Sequence, residues 1–211
     1  MSNERDRLPT LKTVCLSPPE TRGRVAVFID GASLFYAALQ LGIELDYSRL
    51  LAALVGEARL LRAFFYTGVD NNNEKQQGFL MWMRRNGYRV VAKPLLQMPD
   101  GSKKTNLDVE MAVDMLTLTD HYDTAIVVSG SGNLARAVDA VSYQGARIEI
   151  VSLRAMTSDG LINVADSYLD LETLQADVQK QNLEKQSSSK IGGQPTRSSS
   201  HYVRRPLTAA S

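Results

Sequence analysis

Three stretches of this chain carry groups able to do oxygen chemistry. Asp30 closes the apolar run Val27-Phe28-Ile29 and is followed by Gly31. Asp108, Glu110 and Asp114 lie on a stretch of helical period, and Ser129-Gly130-Ser131-Gly132-Asn133 follows the run Thr124 to Val128. Carboxylate, hydroxyl and amide oxygens of this kind hold hard cations such as Mg²⁺ and orient water. Asp30, at a strand tip, suits either chemistry or the N-cap of the next helix, and on spacing the two readings stay open. Asp108 falls in the first turn of its helix, where the dipole favours an anion. Glu110 lies about 200° around the helix axis from Asp108, and Asp114 about 600°, so only one of the three points at any given spot. Asp108 is the candidate because it is nearest the helix mouth, although a solvated carboxylate at the helix dipole explains it equally well. Asp114, set in Ala112-Val113-Asp114-Met115-Leu116, needs a buried partner.

Other chemistries lack their residues. Cys15 is the one cysteine, so no internal disulfide forms and a reducing cytoplasm is the expected compartment. His121 and His201 are the two histidines, too few for a histidine metal cage or a two-histidine acid–base ribonuclease. Gly130-Ser131-Gly132 lacks the flanks of a nucleophile elbow. No Gly-Lys-Ser/Thr forms a phosphate loop, and no three-glycine fingerprint follows the first apolar run.

The elements that must position these groups alternate short apolar runs with helical periods, the pattern of βαβ units. Strands are expected over Arg24–Ile29, Arg59–Thr67, Tyr88–Ala92, Thr124–Val128 and Arg147–Ser152, with a short one at Tyr168–Leu171. Helices are expected near Ser33–Leu41, Tyr47–Glu57, Asn72–Asn86, Asn106–Thr119 and Gly132–Tyr143, the fourth capped by Asn106. In an open α/β sheet, ligands gather outside the carboxyl ends of the strands where the winding reverses. If the Asp30 strand neighbours the Val128 strand, their loops face each other across one crevice. In the stretch Gly78 to Arg85, Phe79, Trp82 and Met83 share a helix face, which favours core or dimer packing over an aromatic–basic nucleic-acid surface.

With 211 residues, 44% apolar and 22% charged, the chain suits one large domain and excludes a wholly disordered or collagenous protein. No apolar run approaches the roughly 18 residues of a membrane span, and Met1 to Glu20 lacks the apolar centre of a secretion signal. The expected organisation is a flexible N-terminal arm over 1–23, a domain over 24–175, and a disordered Ser/Gln-rich tail over 176–211. From Asp177 to Ser211, six basic residues face two acidic ones. The net charge of the whole chain is only +1, so the middle is acidic, which fits a cation-binding site, and the basic tail is either a weak attractor of polyanions or, the simpler reading, a solvated appendage.

Three ordered motifs go further. Val27-Phe28-Ile29-Asp30-Gly31-x-x-Leu34-Phe35-Tyr36, then Asn106 to Met115, then Tyr122 to Gly130 closely resemble the NYN-domain family, specifically its LabA-like bacterial branch, over about residues 24 to 171. The resemblance implies a PIN-like fold: three layers, α/β, with a doubly wound, mostly parallel sheet. It also implies an aspartate cluster holding Mg²⁺ or Mn²⁺ for RNA phosphodiester hydrolysis, and for cyanobacterial members a regulatory role in circadian output and transcription. Residue by residue, Asp30 matches the strand-end aspartate and Asp108 the helix aspartate, the catalytic pair. The third motif usually reads Ser-Gly-Asp-x-Asp, and here Ser131 and Asn133 stand at its two acidic positions; the family commonly has Asn where this chain has Ser33.

The departure removes two negative charges from a centre that must hold two cations about 3.5–4 Å apart. One weakly held Mg²⁺ or Mn²⁺, on Asp30, Asp108 and Asn133, remains in reach. Lys103 and Lys104 would steer the phosphate backbone of single-stranded RNA, with Ser33, Ser129 and Ser131 lining its path. Two functions follow: a ribonuclease with a weakened carboxylate set, or a pseudo-nuclease of the same fold that binds RNA or a regulatory protein without cutting. A homodimer and no membrane association complete the expectations.

Overall fold

The computed structural model describes residues 22–181 apart from 71, 100 and 102, and describes Lys103 without its side chain. Most of the two expected arms, residues 1–21 and 182–211, therefore lies outside the described residues. Arg24–Asp30 (β1), Arg59–Val69 (β2), Tyr88–Pro94 (β3), Thr124–Val128 (β6), Arg147–Ser152 (β7) and Ser167–Asp170 (β8) form one six-stranded sheet. Its order is β3-β2-β1-β6-β7-β8, and every neighbouring pair is parallel. The winding reverses between β1 and β6. A separate antiparallel pair, Leu96–Gln97 (β4) with Lys103–Lys104 (β5), stands beside the sheet.

Parallel strands covered on both faces read as continuous apolar runs rather than as alternation. Val25 to Ile29 of β1 and Ala125 to Val128 of β6 are accordingly all buried. Alternate side chains feed two cores. Val25, Val27 and Ile29 pack with Leu34 and Ala37 of α1 (Gly31–Leu41), Leu50 and Leu54 of α2 (Tyr47–Val55), and Leu80 and Met83 of α3 (Glu74–Arg85). Ala26 and Phe28 pack on the other face with Met111 and Met115 of α4 (Asp108–Thr117), and Val138 and Val141 of α5 (Ala135–Tyr143). The result is the expected three-layer, doubly wound arrangement. Two short helices, α6 (Asp159–Ile162) and α7 (Gln175–Val178), follow later in the chain.

The ends of the folded body are pinned. Arg22 is buried, donating to Glu149 at 2.7 Å and to the Val55 carbonyl at 3.1 Å. Beyond α7, the Lys180 amide donates to the Glu44 carbonyl at 2.8 Å, and Asp46 donates to Val178. In α3, Met83 is buried and the Phe79 ring meets Tyr47 and Phe65, while Trp82, stacked on Phe79, is 40% exposed.

Candidate functional site at the sheet switch point

The switch point places Asp30 at the end of β1 and Ser129 just past the end of the adjacent β6. Ile29 pairs with Val128 in the β1–β6 register, so the next residue of each chain segment enters the same crevice. Asp30 does both things its position allowed. Its Oδ1 accepts from the amides of Ala32 at 3.0 Å and Ser33 at 3.3 Å, capping α1. Its Oδ2 accepts from the Ser33 hydroxyl at 2.5 Å and from the Ser129 hydroxyl at 3.3 Å. The backbone behind it is crowded: a Cβ on Gly31 would come within 2.7 Å of the Phe65 ring, and one on Gly130 within 2.2 Å of the Met156 carbonyl oxygen. Both positions need glycine because another segment passes there, not because of an unusual φ.

Asp108 arrives from the opposite wall. Helix α4 is seated on the sheet by Met111 and Met115 and by Asp114, whose Oδ2 accepts from the Tyr66 hydroxyl at 2.8 Å. Tyr66 is thus the buried partner that the apolar surroundings of Asp114 required. Burial, and then the bond to Asp114, push the Tyr66 hydroxyl far above its ordinary pKa. Asp108 itself takes Asn106 as a local cap: its amide donates to Asn106 Oδ1 at 2.7 Å, although the helix proper starts one residue later than the Asn106 cap implied. Glu110 points elsewhere. It pairs with Lys93 at 2.7 Å, and that ammonium holds its carboxyl below the usual range.

The carboxylate of Asp108 is bound by neutral donors. Its Oδ2 accepts from Ser131 Oγ at 2.9 Å, Asn133 Nδ2 at 2.9 Å and Asn106 Nδ2 at 3.0 Å. Ser129 Oγ, which donates to Asp30, accepts from the Ser131 amide at 3.2 Å. A chain of hydrogen bonds therefore runs Asp30–Ser129–Ser131–Asp108. The two aspartates meet in one cleft of about 670 Å³, lined also by Ser33, Tyr66, Lys104, Asn106 and Asn133. Phe35 and Tyr36 stand at its rim, 58% and 57% exposed. Of the residues the sequence singled out, Asp30, Asp108, Ser33, Ser129, Ser131, Asn133 and Lys104 come together here. The Lys103 side chain lies outside the described residues. The sequence marks Asn106 only as a helix cap and leaves Tyr66 unmarked within the strand Arg59–Thr67; the signal that points to Tyr66 is the need of Asp114 for a buried partner.

The donor set can be tested against a cation. Among the described residues, no three His, Cys, Asp or Glu side chains gather as ligands. Two carboxylates and several hydroxyls fit a single Mg²⁺ or Mn²⁺ completed by water and phosphate oxygens. They do not fit a pair of cations, which needs more anionic oxygen. Asn133 presents its amide nitrogen, not its oxygen, toward Asp108, so it would have to rotate to serve as a ligand.

Comparison with known proteins agrees with this architecture. The chain is 32% identical to the low amplitude and bright protein LabA of Synechococcus elongatus over 165 residues, covering 74% of this chain and 88% of that protein. A crystal structure of a protein of unknown function from Vibrio parahaemolyticus superposes with a TM-score of 0.63 at 24% identity, covering 74% of this chain and 96% of the other, and shows the same fold. The sequence profile of the NYN domain matches residues 24–172. With that span, the motif order and the LabA likeness together, the chain belongs to the NYN domain family and to its LabA-like members.

Proposed function

We propose that this protein binds single-stranded RNA in the Asp30–Asp108 cleft without cutting it efficiently, and acts in the cytoplasm as a regulator of gene expression. The observation that carries the reading is the saturation of Asp108 Oδ2 by Ser131, Asn133 and Asn106. Where the family has carboxylates whose repulsion a cation relieves, this chain has neutral donors that satisfy the remaining carboxylate directly. Fewer negative charges in the cleft also lower its repulsion toward phosphate. Lys104 on the cleft wall attracts the backbone, and the exposed rings of Phe35 and Tyr36 offer stacking surfaces for unpaired bases.

A second reading, a one-cation ribonuclease, draws on the hydrogen-bonded chain that brings Asp30 and Asp108 into one cleft. There the two aspartates would hold Mg²⁺ or Mn²⁺, which would supply an activated water. One experiment decides between them. Labelled single-stranded RNA is incubated with Mn²⁺ and either the parent protein or the Ser131→Asp, Asn133→Asp double variant. The expected result is that the parent binds and leaves the RNA intact, while the double variant cleaves it. Comparable cleavage by both, abolished by Asp30→Asn, would overturn the proposal in favour of the second reading.

A further inference from the structure

The body of the molecule is acidic overall, yet three arginines from separate elements converge at one edge of the sheet. Arg62 of β2, Arg84 in the last turn of α3 and Arg89 of β3 line an open groove of about 480 Å³, completed by Gly87, Tyr88 and Val90. All three arginines are exposed, no acidic side chain lines the groove, and among the described residues none of the three holds an ion pair. Elsewhere on the surface Arg24, Arg136, Arg147 and Arg154 each hold a carboxylate at 3.3 Å or less, while among the described residues Arg49, Arg59 and Arg85 also hold none; what sets Arg62, Arg84 and Arg89 apart is that they share one groove. Unpaired guanidinium groups that share a groove repel one another, and a phosphate relieves that repulsion by accepting paired N–H bonds.

The groove is aligned with the cleft. Ala63 pairs with Tyr88 and Phe64 with Arg89, so Arg62 and Arg89 project from the same sheet face at the amino ends of β2 and β3. Along β3, the next cation on that face is Lys93, about 13 Å further on. Lys93 lies opposite Gly68 in the register, and Gly68 and Lys104 both line the cleft. The edge of the sheet thus carries Arg62 and Arg89 and then Lys93, and Lys104, on the separate β4–β5 pair, stands at the cleft beyond them. Glu110 partly neutralises the middle of this row through its pair with Lys93.

We propose that this arginine groove is a second RNA contact, binding backbone phosphodiester groups of a strand whose other part lies in the Asp30–Asp108 cleft. The proposal rests on the RNA-binding reading of the cleft and adds to it a length requirement. A strand only long enough for the cleft leaves the groove empty; a longer one reaches both. A polyanion with one charge per unit suits the row of cations, and half of the groove's six lining residues are arginines.

Fluorescence anisotropy with labelled oligouridylates of about 4 and about 16 nucleotides tests this over a salt series. The proteins are the full chain, the Arg62→Gln, Arg89→Gln pair, and the Arg62→Lys, Arg89→Lys pair, with circular dichroism melts as the check on folding. Arg84 is left in place because it also faces the carbonyl end of α3, where a cation is stabilising in its own right.

The full chain is expected to bind the longer RNA more tightly. The Gln pair should weaken that binding about tenfold and flatten the log K against log salt slope by about 1.4, or about 0.7 per lost phosphate contact, with short-RNA binding unchanged. The Lys pair, which keeps the charge but not the paired N–H bonds, should keep the salt slope and lose only part of the affinity, and each single Gln substitution should show about half of the slope change. If the long RNA is bound equally by the full chain and the Gln variants, or gains nothing over the short one, the groove proposal is overturned while the cleft reading stands. Binding of poly-glutamate that depends on both arginines as RNA binding does would assign the groove to an acidic protein and overturn it as well. No binding of either RNA by the full chain defeats the cleft reading, and this inference with it.

Discussion

At Asp108, neutral hydrogen-bond donors hold the carboxylate. Ser131 and Asn133 each donate to the same carboxylate oxygen at 2.9 Å. Replacing both by aspartate removes two donors and sets anions against an anion. Each lost charge-assisted bond is worth about 1 to 3 kcal/mol. The Ser131→Asp, Asn133→Asp variant should therefore lose about 2 kcal/mol in EDTA, or about 6 °C in Tm for a domain of this size. Millimolar Mg²⁺ or Mn²⁺ should return most of that, because a cation that binds only the folded form stabilises it by mass action. The parent should melt at the same temperature with or without divalent ions. Differential scanning fluorimetry reads both, and a variant indifferent to divalent ions would show that these positions do not converge on a cation site. The same scale shows what could be foreseen. A carboxyl group within an apolar stretch, Asp114, demanded a partner on physical grounds, and Tyr66 supplies it. That Asn106 would bind Asp108 through both ends of its amide was not legible, because side-chain convergence of that kind depends on the path of the loop.

Helix α1 explains why Asp30 could not be assigned a single role from spacing. One carboxylate oxygen caps the helix and the other faces the cleft. The two roles separate by substitution. Asp30→Asn keeps an N-cap acceptor and should change stability by less than about 0.5 kcal/mol, whereas Asp30→Ala should cost about 1 to 2 kcal/mol through loss of the cap. Urea denaturation measures the difference; equal losses in the two variants would mean that the negative charge, not the cap, holds the helix end. Elements with a long period were readable for the same reason that they are stable. Thr124–Val128 and Arg147–Ser152 fall where the apolar runs place them, and the other sheet strands differ by one or two residues at their ends. The β4–β5 pair has two residues per strand, too short to carry any period. The expected helix from Gly132 begins instead as a 3₁₀ turn, Gly132–Leu134, and becomes α-helical only at Ala135. That turn is what brings Ser131 and Asn133 round to face Asp108.

The whole molecule separates its poles by chemistry. The carboxyl ends of the strands carry the cleft, with its hydroxyls and its two aspartates. At the amino ends, the chain enters the sheet through a buried ion pair. Glu149 sits within β7 at 0% exposure, bound by Arg22 at 2.7 Å and by the half-exposed Arg147 at 3.3 Å. Arg22 precedes the first strand, joins it to the end of α2 through the Val55 carbonyl, and gives its own carbonyl to the Thr124 hydroxyl at 2.7 Å. A residue just ahead of the first strand therefore ties three parts of the fold together, which no local pattern around Arg22 announces. Breaking such a pair is costly because it strands the partner, while removing both members is cheaper. Arg22→Met should destabilise the protein by about 3 kcal/mol, somewhat less than a fully isolated charge would cost, because Arg147 still reaches Glu149. The Arg22→Met, Glu149→Met pair should recover more than half of that loss. Urea titration of the three proteins supplies the comparison: a single variant within about 1 kcal/mol of the parent would mean that water or Arg147 already satisfies Glu149, and that the first strand is anchored by its apolar packing alone.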